Sequence, residues 1–509
     1  MCSISGSINY HPDIVTKMCG HQFRRGPNAN DQLTIGNVTI GHTLLSIIGF
    51  NVQPVTSSRY AMTFNGCIYN FKDLYPNETS DTVALLRSFE EKGIDQTLKD
   101  INGMYSIGLY DKTLKKLHLI VDRFAQKPCY YYHEGNKFAF ASTPAALLQL
   151  KDKWTIDKDA LNSYWLLGST MGQDSIWNGM KKVCASEMLT YDIDNNQIAI
   201  TRYWEPKYQE NTSGIEDLVL DAIQKVKISD VPVHIFLSGG IDSTLVASQC
   251  SGMDAVHLDS NEIKYAELAA QRFGIKLKHV YPQDIDVEES LTDYSFQCGE
   301  PSHAALIPYI TCKEMSKFGK VGIIANAFDE LAFGYNRTHQ DYTDQNHIYR
   351  MAFAPEGFEL RPNGQWFNGG RWEELTTFVQ YDLNKTLDFA SGCFGVEMRS
   401  PALDHRLVEM MLSIPESKHR KRGNKTILKN MLRKIGFNDR FLERQKIGFS
   451  LHKPPSNMPE LIKKSLNWCL SEGWLRCDFE NMNGRDQRYI EMAALSFYYW
   501  YKTFENKIA

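Results

Sequence analysis

The chain has 509 residues, 43% of them hydrophobic and 23% charged, and a formal net charge of −4. That is long enough for roughly two to four ordinary domains, and the charge argues against a general binder of nucleic acid or of membrane surfaces, which is usually basic. No run approaches the ~18 apolar residues of a membrane span, no basic segment followed by an apolar one opens the chain, and eleven cysteines lack paired spacing; a cytoplasmic protein with reduced thiols, and with neither a disulfide framework nor a zinc site, is expected.

The chain opens on MCSISGS. If Met1 is removed, Cys2 carries a thiol and a free α-amine on one carbon. An amine with a pKa of about 8 can serve as base to the thiol, and a thiolate attacks carbonyl carbon well. On this stretch alone, a small buried cysteine is the simpler alternative. Short alternating segments follow, LTIGNVTIGHTLL (33–45), YAMTFNG (60–66), MYSIGLYD (104–111) and KKLHLIVDR (115–123), and they read as strands. One helix is expected from Ser80 to Lys92. The first half is therefore mostly sheet, and it ends near residue 210 in the polar stretch KYQENTSG (207–214).

Beyond it the pattern turns to strand, helix, strand, helix: VPVHIFL (231–237), IDSTLVASQC (241–250), DAVHLD (254–259), NEIKYAELAAQRFG (261–274) and KLKHV (276–280). Such alternation predicts a parallel α/β sheet, with a ligand at the carboxyl end of its first strand. Between that strand and its helix, Ser238, Gly239 and Gly240 put no bulky side chain over the free N–H groups of the first turn, which suits a phosphate. The loop lacks the lysine and the longer spacing of G-x-x-x-x-G-K-[ST]. Glycines used only for a tight turn remain the alternative, but Asp242 weighs against it. A carboxylate beside phosphates needs a cation between them, which makes it a natural Mg²⁺ ligand. The basic run KHRKRGNKTILKNMLRK (418–434) reads as a solvated helix face or a phosphate-side field rather than an RNA surface. The aromatic stretch SFYYWYKTF (496–504) reads as packing or a subunit contact.

Cys2, RRGPN (24–28), FNGCIYN (64–70) and the pair Ser80, Asp81 together resemble a class II glutamine amidotransferase domain. RYWEP (202–206), SGGIDS (238–243), GEPSHAALIPY (299–309), DELAFGY (329–335), GVEMRSPALDHR (395–406) and RQKIGFS (444–450) resemble the asparagine synthetase family in the same order. The resemblance implies an α+β N-terminal-nucleophile domain, an αββα sandwich, over 1–206. It implies an α/β PP-loop domain with a parallel sheet and a helical C-terminal part over 207–509.

The resemblance further implies glutamine hydrolysis at the first site and ATP-dependent amide formation through an acyl-adenylate at the second, with ATP and Mg²⁺ required. Cys2 would be the nucleophile, Asn65 and Gly66 the oxyanion hole, and Asp81, Ile47 and Arg25 would hold glutamine. Leu237, Ser238, Gly239, Gly240, Asp242, Ser243 and Leu258 would bind ATP, Asp242 and Asp329 the metal. Lys446 would neutralise charge as pyrophosphate departs, and Glu300 and Asn326 would lie by the acceptor. The expected partners are glutamine or ammonia and a small carboxylic acid, with neither nucleic acid nor membrane, and a homodimer is allowed.

Four positions depart from the family pattern. Leu44 stands where an arginine would meet the α-carboxylate of glutamine, Cys67 stands for a carboxylate near its amine, and Arg24 for a histidine. In the second half Asn326 stands for a glutamate near the acceptor, and an amide takes no proton from incoming ammonium. An acceptor other than aspartate is therefore open, as are an ammonia-independent ligase or cyclase with a vestigial first domain and a non-catalytic relative.

Overall fold

The computed structural model describes residues 1–281, 285–335, 370–419, 424–444, 454–475 and 484–509. Twelve strands form before residue 203: β1 (Ser3–Ile8), β2 (Ala29–Ile35), β3 (Val38–Leu44), β4 (Val55–Thr56), β5 (Tyr60–Ile68), β6 (Gly103–Asp111), β7 (Lys116–Val121), β8 (Tyr130–Glu134), β9 (Lys137–Ala141), β10 (Met180–Lys182), β11 (Glu187–Asp192) and β12 (Gln197–Arg202). They make two six-stranded antiparallel sheets, in the orders β10-β8-β9-β1-β3-β2 and β12-β11-β7-β6-β5-β4.

The alternation read in the sequence explains the packing. Ile4, Ile8, Val38, Ile40 and Phe140 of the first sheet meet Ala61, Leu117, Leu119, Val121 and Leu189 of the second in a dry layer. Outer faces are covered by helices. Val15 and Met18 of the helix Asp13–His21 pack behind the first sheet, and Leu85, Leu86 and Phe89 of the helix Asp81–Asp100 pack against Phe64, Tyr105 and Ile107 of the second. This is the expected αββα sandwich.

The second half carries β13 (Val233–Phe236), β14 (Asp254–Leu258), β15 (Lys276–Val280), β16 (Val321–Ile323) and β17 (Glu397–Arg399) in one parallel sheet, ordered β15-β14-β13-β16-β17. The chain runs outward from β13 to β15 and then returns to the other side of β13. The direction thus reverses between β13 and β16, and a crevice opens beyond their carboxyl ends, the usual ligand position in such sheets. Helices form the C-terminal part, including Met458–Ser471 and Gly484–Phe504. The aromatic stretch packs there, with Phe497 and Trp500 fully buried.

The two halves meet across buried polar contacts. Arg25 reaches Asp388 at 2.8 Å and Lys127 reaches the same carboxylate at 3.4 Å, while Glu300 accepts from Ser175 at 2.6 Å and Thr170 at 2.9 Å. Among the described residues no helix is long and apolar enough to cross a membrane. The ten described cysteines are all buried, and none of them is in a disulfide.

Candidate active sites

Two cavities collect most of the residues singled out in the sequence. The first, about 30 Å³, is lined by Cys2, Leu44, Ile47, Gly66, Cys67 and Asp81 from the first half and by Glu397 and Arg399 of β17 from the second. Cys2 sits just ahead of β1, and its Sγ accepts from the backbone N–H of Leu45 at 3.4 Å. Burial pushes the Cys2 thiol up to about 11, partly offset by the neighbouring α-amine of Met1, while burial pulls that amine down to about 4. Met1 is itself enclosed, with its Sδ 2.7 Å from Nη2 of Arg25.

On β5, Gly66 has φ 154°, and a Cβ there would stand 2.0 Å from the carbonyl oxygen of Met104. Only glycine fits. Beside it, the Asn65 side chain is fully buried and neither its Oδ1 nor its Nδ2 has a partner. A buried amide open on both atoms has room for a partner beyond the protein. Asp81 lies in the first turn of a helix whose N-cap is Ser80, and its Oδ2 accepts from the N–H of Ile68 at 3.1 Å. Burial lifts the Asp81 carboxyl to about 7.

Arg25 does not line this cavity. It faces the junction instead, donating to Asp388 and, through Nε, to the carbonyl of Cys2 at 3.2 Å. Arg24 points to the surface, where it pairs with Asp293 at 2.6 Å. The cation that lines the cavity is Arg399, anchored by the carbonyls of Val226 and Ile228 at 2.9 and 2.6 Å and paired with Glu397 at 2.8 Å. The motif GVEMRS carried no expected role for either residue. Their position shows only once β17 is placed beside β16.

The second cavity, about 620 Å³, opens at the crevice between β13 and β16 and is lined by Ser238, Gly240, Asp242, Ser243, Asn326 and Asp329 among others. Ser238 and Ser243 share a hydrogen bond of 2.9 Å across the loop. Gly239 has φ 86°, and a Cβ there would meet Ala266 N and Glu262 O at 2.8 Å, so the tight loop demands glycine. The carbonyl of Gly239 accepts from Arg444 at 2.6 Å. The carboxylates of Asp242 and Asp329 both close on the ammonium of Lys425, 2.6 Å away on the Asp329 side. Burial would depress Lys425, but the two carboxylates more than offset it and hold its pKa above the usual lysine value.

Lys425 went unnoticed in the sequence because it lies within a basic run read as a whole. Among the described residues of that run, Lys429 pairs with Glu443, Arg433 with Asp439 and Lys434 with Glu216. Two carboxylates that converge on one cation fit a Mg²⁺ ion, which needs only one or two protein carboxylates beside phosphate oxygens and water. Among the described residues no set of three His, Cys, Asp or Glu forms a fuller metal cage.

Three expected residues lie elsewhere. Leu237 directly follows β13 and Leu258 ends β14 inside the core, where the N–H of Leu237 donates to Val256 O at 3.0 Å, and neither side chain lines the crevice. Glu300 is at the junction of the halves and does not line the second cavity. Its oxygens accept from Ser175 at 2.6 Å, Thr170 at 2.9 Å and Lys385 at 3.0 Å, which leaves none for a substrate. Burial alone would raise its carboxyl, but Lys385 and Lys182 hold it at about 2. Lys446 lies outside the described residues.

Comparison with known proteins bears on both sites. Residues 1–204 match the family model of a glutamine amidotransferase domain, and residues 214–496 match that of asparagine synthase. A Methanocaldococcus jannaschii protein described as a glutamine-hydrolysing asparagine synthetase is 29% identical, over 69% of this chain and 78% of its own. Asparagine synthetase 3 of Bacillus subtilis, also glutamine-hydrolysing, is 24% identical over 92% of this chain and 89% of its own. A solved glutamine phosphoribosylpyrophosphate amidotransferase from B. subtilis aligns with a TM-score of 0.30 at 15% identity, covering 65% of this chain and 77% of its own.

Proposed function

The chain belongs to the asparagine synthase family, with a glutamine amidotransferase domain at its N-terminal end, and on that premise we propose that it converts a carboxylic acid to an amide through an acyl-adenylate, with ammonia released from glutamine at Cys2. The units are 1–206 for glutamine hydrolysis and 207–509 for the ligase. The observation that carries the reading is the convergence of Asp242 and Asp329 on one cation beside the Ser238–Ser243 loop.

In the ligase cavity the acid's carboxylate oxygen attacks the α-phosphorus of ATP and pyrophosphate leaves. Ser238, Gly239, Gly240 and Ser243 hold the departing phosphates through backbone N–H and hydroxyl groups. Asp242 and Asp329 hold Mg²⁺, which when bound offsets the charge gathering on pyrophosphate. Lys425 and, by family resemblance, Lys446 add positive charge at the same end. Ammonia then displaces AMP from the acyl carbon. A carboxylate resists ammonia, whereas the adenylate carries a good leaving group.

In the glutaminase cavity, removal of Met1 gives Cys2 its own α-amine. That amine takes the thiol proton, the thiolate attacks the glutamine amide carbon, and Gly66 N–H with the open amide of Asn65 receives the oxyanion. Leu44 and Cys67 bring no charge to the zwitterionic end of glutamine. Arg399 and Glu397, lining the same cavity, supply both signs, with Asp81 as a second acceptor for the ammonium. Recognition of glutamine thus depends on the second half of the chain.

The test is a pair of assays on Cys2→Ala. Glutamine-driven amide formation should be lost and ammonium-driven formation kept. Glutamine-driven product at the wild-type rate would remove Cys2 from the reaction and with it this account of the first cavity.

A further inference from the structure

We propose that Asp230 and Lys320, two residues of the ligase half, are positioning residues for the first cavity: they fix the loop that walls it and so set how well glutamine binds. The proposal rests on the glutaminase reading of that cavity. Neither residue lines it. The wall is the loop 45–54, which joins β3 to β4 and contributes Leu45, Ile47, Ile48, Asn51 and Gln53 to the lining. Its first residue also holds the nucleophile, since the Leu45 N–H donates to Cys2 Sγ.

A loop outside the sheets has no ladder to fix it, so its backbone groups are satisfied by other partners. For residues 46–49 several of those partners come from the second half. The carboxylate of Asp230 accepts from Gly49 N–H at 2.7 Å, and the N–H of Asp230 donates to Ile47 O at 2.9 Å, which pins the turn at two points. Within the turn Ser46 Oγ donates to Gly49 O at 2.8 Å. Ahead of it the ammonium of Lys320 donates to Ser46 O at 3.1 Å and to Asn28 Oδ1 at 2.9 Å, and that same amide oxygen accepts from Ser46 N–H at 2.9 Å. Beneath the loop, Cys2, Leu44, Leu45 and Ile47 share a buried cluster with Met1 and with Val321, the first residue of β16, and Val231 and Val233 pack against it. Removal of Met1 opens the cavity further along this wall, and the wall's position then decides the shape that meets glutamine. Asp230 lies just ahead of β13 and Lys320 directly precedes β16, the two strands whose carboxyl ends lead to the Ser238–Ser243 loop and to Asn326. A wall already held in place costs little to order around glutamine; a loosened one raises that cost and leaves the groups on β5 as they are, so the loss falls on KM and not on kcat.

Steady-state glutaminase kinetics of the full chain, followed as glutamate release, test this on wild type, Asp230→Ala, Asp230→Asn and Lys320→Met. Asp230 is exposed and its side chain gives the loop one hydrogen bond, so Asp230→Ala should raise the KM for glutamine about fivefold and keep kcat within about twofold. Asp230→Asn, whose side-chain carbonyl still accepts from Gly49, should restore a KM within about twofold of wild type. Lys320→Met should raise KM in the same sense, and it reads the same loop if Asp230→Ala does not fold. Affinity for MgATP, measured by titration calorimetry, should be unchanged in each variant. A folded Asp230→Ala or Lys320→Met with the wild-type KM for glutamine overturns the inference and leaves the glutaminase reading intact. A loss of MgATP affinity in step with the loss of glutaminase also overturns it, since that marks a general role in the fold. No glutamate release by the wild type overturns both.

Discussion

Asp81 shows how burial tunes a single residue for the proposed task. Its carboxyl is lifted from 3.8 to about 7, mainly by burial and further by Glu397, against the pull of the Ile68 N–H. Only the ionised form attracts the ammonium of glutamine. The KM for glutamine should therefore fall as pH rises through about 7, and Asp81→Asn should flatten that dependence. Steady-state glutaminase kinetics on both proteins would show it, and a wild-type KM that is constant from about pH 6 to 8 would remove Asp81 from recognition. Cys2 and Asp242, singled out by their own chemistry, and Gly66 and Asp329, singled out by the family resemblance, all fall in the two cavities. Lys425, Glu397 and Arg399 were not legible in the sequence, since each reaches its site from a part of the chain remote in sequence. For the same reason the sequence did not show that Arg25 and Glu300 stand outside the two cavities, where the charge of Arg25 is taken up by Asp388 and that of Glu300 by Lys385.

At the scale of the element, the β13–loop–helix unit was readable in full, from the β-branched strand to the glycines and the acid of the first helical turn. Gly239 has the most exacting place in it. Gly239→Ala would add a Cβ 2.8 Å from two backbone atoms at a φ of 86°, so the loop must shift. We expect a loss of about 1–3 kcal/mol in MgATP binding, roughly tenfold to a hundredfold, measured by titration calorimetry, with the fold retained. Unchanged affinity would take the loop out of the ATP site. The helix after Ser80 was read as far as Lys92, and there it breaks: Gly93, with φ 78° and ψ 175°, is not helical. A second helical segment runs on to Asp100, held by Thr97, which bonds Ser88 at 3.0 Å, and by buried Leu98. Strand existence followed from alternation, but sheet order did not. Nothing local to β1 announces that Ser5 will pair with Ala141 of β9.

Over the whole molecule, buried charge joins the halves. Glu300 holds Lys385, and its neighbours Thr170 and Ser175 come from the other half. Glu300→Gln would leave Lys385 without its counter-charge, a loss that typically costs about 3–5 kcal/mol. Because the carboxyl is held at about 2 against an ordinary 4.5, its contribution is full above about 4.5 and disappears as pH falls toward about 2. Thermal unfolding should thus show a wide gap between wild type and Glu300→Gln near neutral pH that closes on acidification. A gap that stays constant down to about pH 2 would contradict the assignment.

The central claim is that one cavity adenylates an acid. The most direct measurement supplies ATP, Mg²⁺, ammonium and a mixture of carboxylic acids, aspartate included, all labelled with ¹⁸O in the carboxylate, and follows the label by ³¹P NMR. The account predicts AMP and pyrophosphate as products, with ¹⁸O on the phosphorus of AMP, because the acid's oxygen stays there when ammonia takes the acyl group. ADP and ¹⁸O-labelled orthophosphate would contradict it, since they mean attack at the γ-phosphorus and an acyl-phosphate.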